Sequence, residues 1–108
     1  MKSLIDKVGI NSLGIEQYKL IEMGFVEHYG GNLTLRGTPI KSLGNLESVS
    51  GYLDLYNTPI EDLGNLKSVR GYLFLSGTPL GKKLKESGMS KYEIKNKYGV
   101  KGDLFIWK

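Results

Sequence analysis

The sequence predicts a repeat solenoid with a parallel β-sheet on one face, turns or 3₁₀ coils on the other, and a small helical cap at each end. Three observations lead there. One segment occurs three times in succession at a constant spacing: GNLTLRGTPIKSLGNLESVS from Gly31, GYLDLYNTPIEDLGNLKSVR from Gly51 and GYLFLSGTPLGKKLKESGMS from Gly71. Within each copy a pair of leucines alternates with variable residues, which is the period of a strand. One such unit cannot cover its own apolar side, so successive units must stack and share a core.

The elements of a unit follow in order. The opening glycine turns the chain into a strand whose inward residues are Leu33 and Leu35, Leu53 and Leu55, and Leu73 and Leu75. The strand closes at GTP or NTP. Gly37, Asn57 and Gly77 tolerate a left-handed backbone there, and Pro39, Pro59 and Pro79 hold the preceding threonine extended. Ile40, Ile60 and Leu80 re-enter the core, and Leu43, Leu46 and Val49, with Leu63, Leu66 and Val69, line the return path. The Gly-Asn pairs at 44–45 and 64–65 argue for a turn or a single 3₁₀ coil there. A fourth, partial copy appears where VKGDLFIW, from Val100, aligns with VRGYLFLS, from Val69, and brings in Leu104 and Ile106. Its glycine, Gly102, comes eleven positions later than strict spacing from Gly71 would put it, so the last coil carries an insertion of that size.

Both ends carry helix signals. Over 12–24, Ser12 can cap, Leu13, Leu20 and Ile21 share one helical side, and Gly24 can stop the helix. Residues 25–29 read as a short strand. In the insertion, Ser90 and Glu93 form a capping box, with Met89 and Ile94 at the staple positions and Gly99 as the stop. The chain therefore divides, as one domain of 1–108, into an N-terminal helical cap (1–30), three repeats (31–80), a helical insertion or cap (81–99) and a final strand (100–108).

Composition narrows the function classes. The chain has no cysteine, which excludes disulfides, thiolate metal sites and cysteine nucleophiles. No apolar run reaches the ~18 residues of a membrane span and no secretory h-region opens the chain, so a soluble, cytoplasmic protein is expected. The net charge of +4 is uneven. Residues 1–80 hold seven Lys or Arg against eight acids, whereas 81–108 hold eight Lys against three, a net −1 and a net +5.

The pattern LxLxxTxIxxLxxLxxV at a period of 20 resembles leucine-rich repeats of the short bacterial and bacteriophage type, over residues 31–80 and again in the final strand. That resemblance implies a parallel sheet that binds a protein partner. It also implies a bacterial or phage-infected cytoplasm and a host or bacterial protein that a phage benefits from inhibiting. Thr38, Thr58 and Thr78 stand where longer repeats keep a ladder asparagine, so bonding between coils is expected from threonine hydroxyls or from backbone. Some bacterial relatives carry a cysteine-dependent ubiquitin ligase domain, for which this chain has neither the length nor the cysteine.

With the leucines inward, the alternate positions form three outer columns across four strands: Asn32, Tyr52, Tyr72 and Asp103; Thr34, Asp54, Phe74 and Phe105; Arg36, Tyr56, Ser76 and Trp107. Six of the twelve are aromatic, where an exposed sheet ordinarily carries small or charged residues. Aromatic and arginine side chains make binding hot spots because they bury much area for few lost rotors. The expected site is therefore Tyr52, Tyr56, Tyr72, Phe74, Phe105 and Trp107, with Arg36 and Asp54 setting orientation. At strand lengths of about five residues this face measures roughly 340 Å², so a protein partner must also touch loops or caps. The other reading is that the chain's own N-terminal segment or a second copy covers the rings, as a homodimer or structural homo-oligomer.

An alternative site is the lysine-rich insertion, where Lys82, Lys83, Lys85, Lys91, Lys95 and Lys97 suit nucleic acid or another anionic partner. The same lysines also serve as the solvated side of a helix, their stems shielding its apolar base. Catalysis finds little in the sequence. His28 is the single histidine, and no Ser, His and acid set follows from spacing. Asp54 and Asp103, two strands apart, lie near an inverting-glycosidase separation but without a cleft. The stretch GTPLGKK, from Gly77, fails as a P-loop because its glycines are four apart and Lys83 stands where Ser or Thr is required. No enzyme, cofactor or metal is expected.

Overall fold

The computed structural model describes residues 17–106. The chain runs through α1 (Gln17–Glu22), β1 (His28–Tyr29), β2 (Leu33–Thr34), β3 (Ser48–Val49), β4 (Leu53–Asp54), β5 (Ser68–Val69) and β6 (Leu73–Phe74), then α2 (Pro79–Glu86), α3 (Lys91–Tyr98) and β7 (Leu104–Phe105). The strands form two parallel sheets, one ordered β1-β3-β5 and the other β2-β4-β6-β7. Partners sit one repeat apart, Leu33 against Leu53 and Leu53 against Leu73 in one sheet, Ser48 against Ser68 in the other. The insertion shifts the last pairing to Leu73 against Leu104.

The return path takes the expected turns, at Gly44-Asn45 and Gly64-Asn65, and then enters strands that were not expected. These strands form a second parallel sheet, built on β-branched Val49 and Val69, which are fully buried, with Ser48 and Ser68 beside them. No 3₁₀ helix occurs among the described residues. The physical reason is that each return segment lies directly beside its predecessor and pairs its backbone with it: the Glu47 and Ser48 amides donate to the Glu27 carbonyl, and those of Lys67 and Ser68 to Glu47. The regular strands are only two residues long, shorter than expected, although backbone bonds continue on either side. From Gly51 N–H to Gly31 C=O through Gly37 N–H to Tyr56 C=O, the first two copies are bonded along their whole strand segment.

Between the sheets lies a core of leucines, isoleucines and valines, with Leu33, Leu53, Leu73 and Leu104 all fully buried in register. Of the two expected routes for bonding between coils, the backbone is the one used. Thr38, Thr58 and Thr78 donate to the carbonyls of Leu35, Leu55 and Leu75 in their own copies, and other side chains, such as Asn32 accepting from the Tyr52 amide, add to the backbone bonds between coils. Asn57 holds a left-handed φ of 60° where its sister copies hold Gly37 and Gly77.

The N-terminal segment continues the repeat spacing, which the sequence reading missed. His28 pairs with Ser48, and the Asn45 amide donates to the Gly24 carbonyl. Here α1 is the described part of the helix expected over 12–24; Ser12 and Leu13 lie outside the described residues. At the other end there are two helices where one was expected. α2 begins at Pro79, inside the third copy, because Thr78 is an N-cap whose hydroxyl accepts from Gly81 N–H and Pro79 suits the first turn. α3 carries the capping box between Ser90 and Glu93 and ends on left-handed Gly99. Met89 packs against the core, and Ile94 is buried within it.

Candidate functional site

The two sheets present different outer surfaces. Outside β1, β3 and β5 stand His28, Ser48 and Ser68, and His28 Nδ1 lies 2.7 Å from Ser48 Oγ. The four-stranded sheet instead carries a connected group of rings, because alternation along β4, β6 and β7 sends the residues beside the buried leucines outward. Phe74 is at its centre, 6.0 Å from Tyr52 and 6.1 Å from Tyr72, edge to face with both. Phe105 stacks on Phe74 at 4.9 Å with planes 11° apart, and Tyr72 meets Phe105 edge to face at 5.8 Å. Tyr72 is 50% exposed and Phe105 38%, whereas Tyr52, Tyr56 and Phe74 are half-buried. Trp107 lies outside the described residues.

Arg36, Asp54 and Tyr56 form one constellation at the rim. The Asp54 carboxylate accepts from Arg36 Nε at 2.9 Å and from the Tyr56 amide at 3.0 Å. The Arg36 guanidinium also lies 5.0 Å over the Tyr56 ring. This corrects the expectation for Asp54. It is on the outer side but only 6% exposed, because these neighbours close over it, and both its oxygens are engaged. Ser76, in the same outer set, is likewise buried. Asp103 is exposed and accepts the amide of Leu104 at 2.7 Å. Neither carboxylate faces a cleft that would make the pair acid and base.

The lysines divide between two helices, Lys82, Lys83 and Lys85 on α2 and Lys91, Lys95 and Lys97 on α3. They are exposed except for half-buried Lys95. Lys97 Nζ lies 5.7 Å over the Tyr98 ring, and Lys91 Nζ lies 6.0 Å over Phe105. The two predicted sites therefore meet at Lys91 and Phe105, a contact that no spacing in the sequence foretells because it depends on where α3 lands. A hollow of about 650 Å³ lies beside α2, lined in part by Thr78, Pro79, Lys82, Lys85 and Ile106. Tyr98 is buried beneath α3, and burial first, then the Asp62 carboxylate, holds its phenol above the ordinary range.

Among the described residues no group of three or more His, Cys, Asp or Glu is placed to hold a metal ion, and no helix is long and apolar enough to cross a membrane. No protein-family model, curated protein or solved structure matches the chain.

Proposed function

We propose that the chain is a short solenoid of the leucine-rich-repeat kind and a non-enzymatic module that binds a protein partner through the outer face of its four-stranded sheet. One observation carries the reading: rings in mutual contact, two of them more than a third exposed, stand on a surface whose counterpart on the other sheet is serine and histidine. Rings held by one another have lost little freedom when a partner arrives, so their apolar area converts efficiently into affinity. The rim of Arg36, Asp54 and Tyr56 is already locked and adds a fixed polar edge to that apolar centre, the anatomy of a protein interface. In-register pairing of successive copies supports the solenoid, since each copy then completes the core of the next.

The test uses the double variant Tyr72→Ala, Phe105→Ala, which removes the two most exposed rings of the cluster. Immobilised wild-type protein is expected to retain a partner from bacterial lysate that the variant does not, while the variant's far-UV circular dichroism stays that of the wild type. Equal retention by both proteins overturns the proposal.

A further inference from the structure

We propose that the ring cluster receives an acidic protein segment, one that sets a carboxylate beside an apolar side chain, and that Lys91 reads that carboxylate. The inference rests on the sheet face being the binding surface and adds the chemistry of what binds there.

Ring orientation is the first argument. Two flat rings 4.9 Å apart with planes 11° from parallel must overlap face to face. Phe74 and Phe105 belong to neighbouring strands, and neighbouring strands lie ~4.8 Å apart, so the stack runs across the sheet. The two rings consequently turn their faces toward each other and their edges toward solvent. A ring face is electronegative and its edge electropositive, so this surface favours carboxylate and carbonyl oxygens over cations. Bases stacking as a single-stranded nucleic acid need open ring faces, and this stack closes one face of each ring against the other.

Charge is the second argument. Asp54 is paired with Arg36, while exposed Asp103 accepts the Leu104 amide with one oxygen and, among the described residues, has no cation within ion-pair distance. Lys91 extends over Phe105, and among the described residues no carboxylate lies within ion-pair distance of it. Phe105 belongs to the segment 81–108, which carries a net +5, while the other rings of the cluster come from the nearly neutral segment before it. An apolar patch with outward electropositive edges and an unneutralised ammonium beside it is complementary to acidic residues flanking an apolar anchor.

The test selects a randomised dodecapeptide library on the immobilised full chain, with counter-selection on the Tyr72→Ala, Phe105→Ala variant. Enriched peptides are expected to place Asp or Glu next to Phe, Leu or Trp. The best peptide, labelled and titrated by fluorescence anisotropy, should bind Lys91→Gln up to about fivefold more weakly than wild type, as for one exposed ion pair. Its Glu-to-Gln analogue should bind both proteins alike. Enriched peptides that depend on the rings but show no acidic preference overturn this inference and leave the sheet-face reading standing. Failure to enrich any ring-dependent peptide overturns both. Ring-dependent binding of a labelled oligothymidylate tighter than that of the best peptide overturns the assignment to a protein segment.

Discussion

Leu73 and Phe74 are neighbours on β6 with opposite fates, and truncating each in turn measures how sharply the sheet divides inside from outside. Leu73 is fully buried on a strand flanked by β4 and β7, so little can move in to fill the space it leaves. Leu73→Ala should therefore fall high in the usual range, at about 4 kcal/mol of lost stability. Phe74 is half-buried and touches three rings. Aromatic pairs contribute ~0.5–1.5 kcal/mol each, and exposure places these at the lower end, so Phe74→Ala should cost about 2 kcal/mol. Phe105, with two ring contacts and more exposure, should cost about 1 kcal/mol. Urea unfolding followed by far-UV circular dichroism reads all three, with unchanged slopes confirming that the midpoints report stability. In thermal melts, at roughly 4 °C per kcal/mol for a chain of this length, the order should be the same. A Phe74→Ala loss as large as that of Leu73→Ala would show the ring to be core. A Phe105→Ala loss exceeding that of Phe74→Ala would show that Phe74 is not the hub of the cluster.

Two further predictions concern the C-terminal helix. A side chain at Gly99, left-handed at φ 65°, would run into the Lys67 carbonyl oxygen of the neighbouring coil, whereas Gly88, also left-handed, has open space around it. Gly99→Ala should cost well over ~2 kcal/mol and Gly88→Ala about 1 kcal/mol, the left-handed penalty alone; equal losses in urea would refute the close approach. Tyr98 keeps its proton when folded at a pH where the unfolded chain releases it, since burial raises its pKa above 10.0. Its contribution is complete below the unfolded pKa and is lost as pH rises through the folded one. Between about pH 8 and about pH 11 the wild type should lose more stability than Tyr98→Phe, and parallel losses would refute the assignment.

Most of the four-stranded sheet was legible because its residues alternate: a leucine pair two apart, recurring at a fixed period, admits one inward face and one register. The second sheet was not. Ser48-Val49 and Ser68-Val69 are too short to show a period, and they become strands only through backbone pairing with residues one repeat away. The helix from Pro79 was obscured by its likeness to the earlier copies. TPI and TPL look alike, yet after Thr58-Pro59 the chain goes to a Gly-Asn turn, while after Thr78-Pro79 it meets a run of helix formers that the N-cap can start. The relation of 17–30 to the repeats was hidden because α1 replaces the turn there, while Leu20, Gly24 and Val26 keep their spacing from Ile40, Gly44 and Leu46.

The site shows the same division between pattern and placement. Which residues leave the core followed from alternation, but their exposure did not, since Asp54 is outward and yet sealed by Arg36 and Tyr56. The second outer column, Thr34, Asp54, Phe74 and Phe105, explains why the cluster sits where it does. Face-to-face ring stacking between adjacent strands requires a ring at the same register on both, and in that column only β6 and β7 satisfy it. The insertion lies between those two strands, and its helix brings Lys91 over Phe105. The chain's departure from strict repetition thus sets a cation beside a ring stack. A sheet of identical copies would repeat one side chain up each column and could not place that cation at one end.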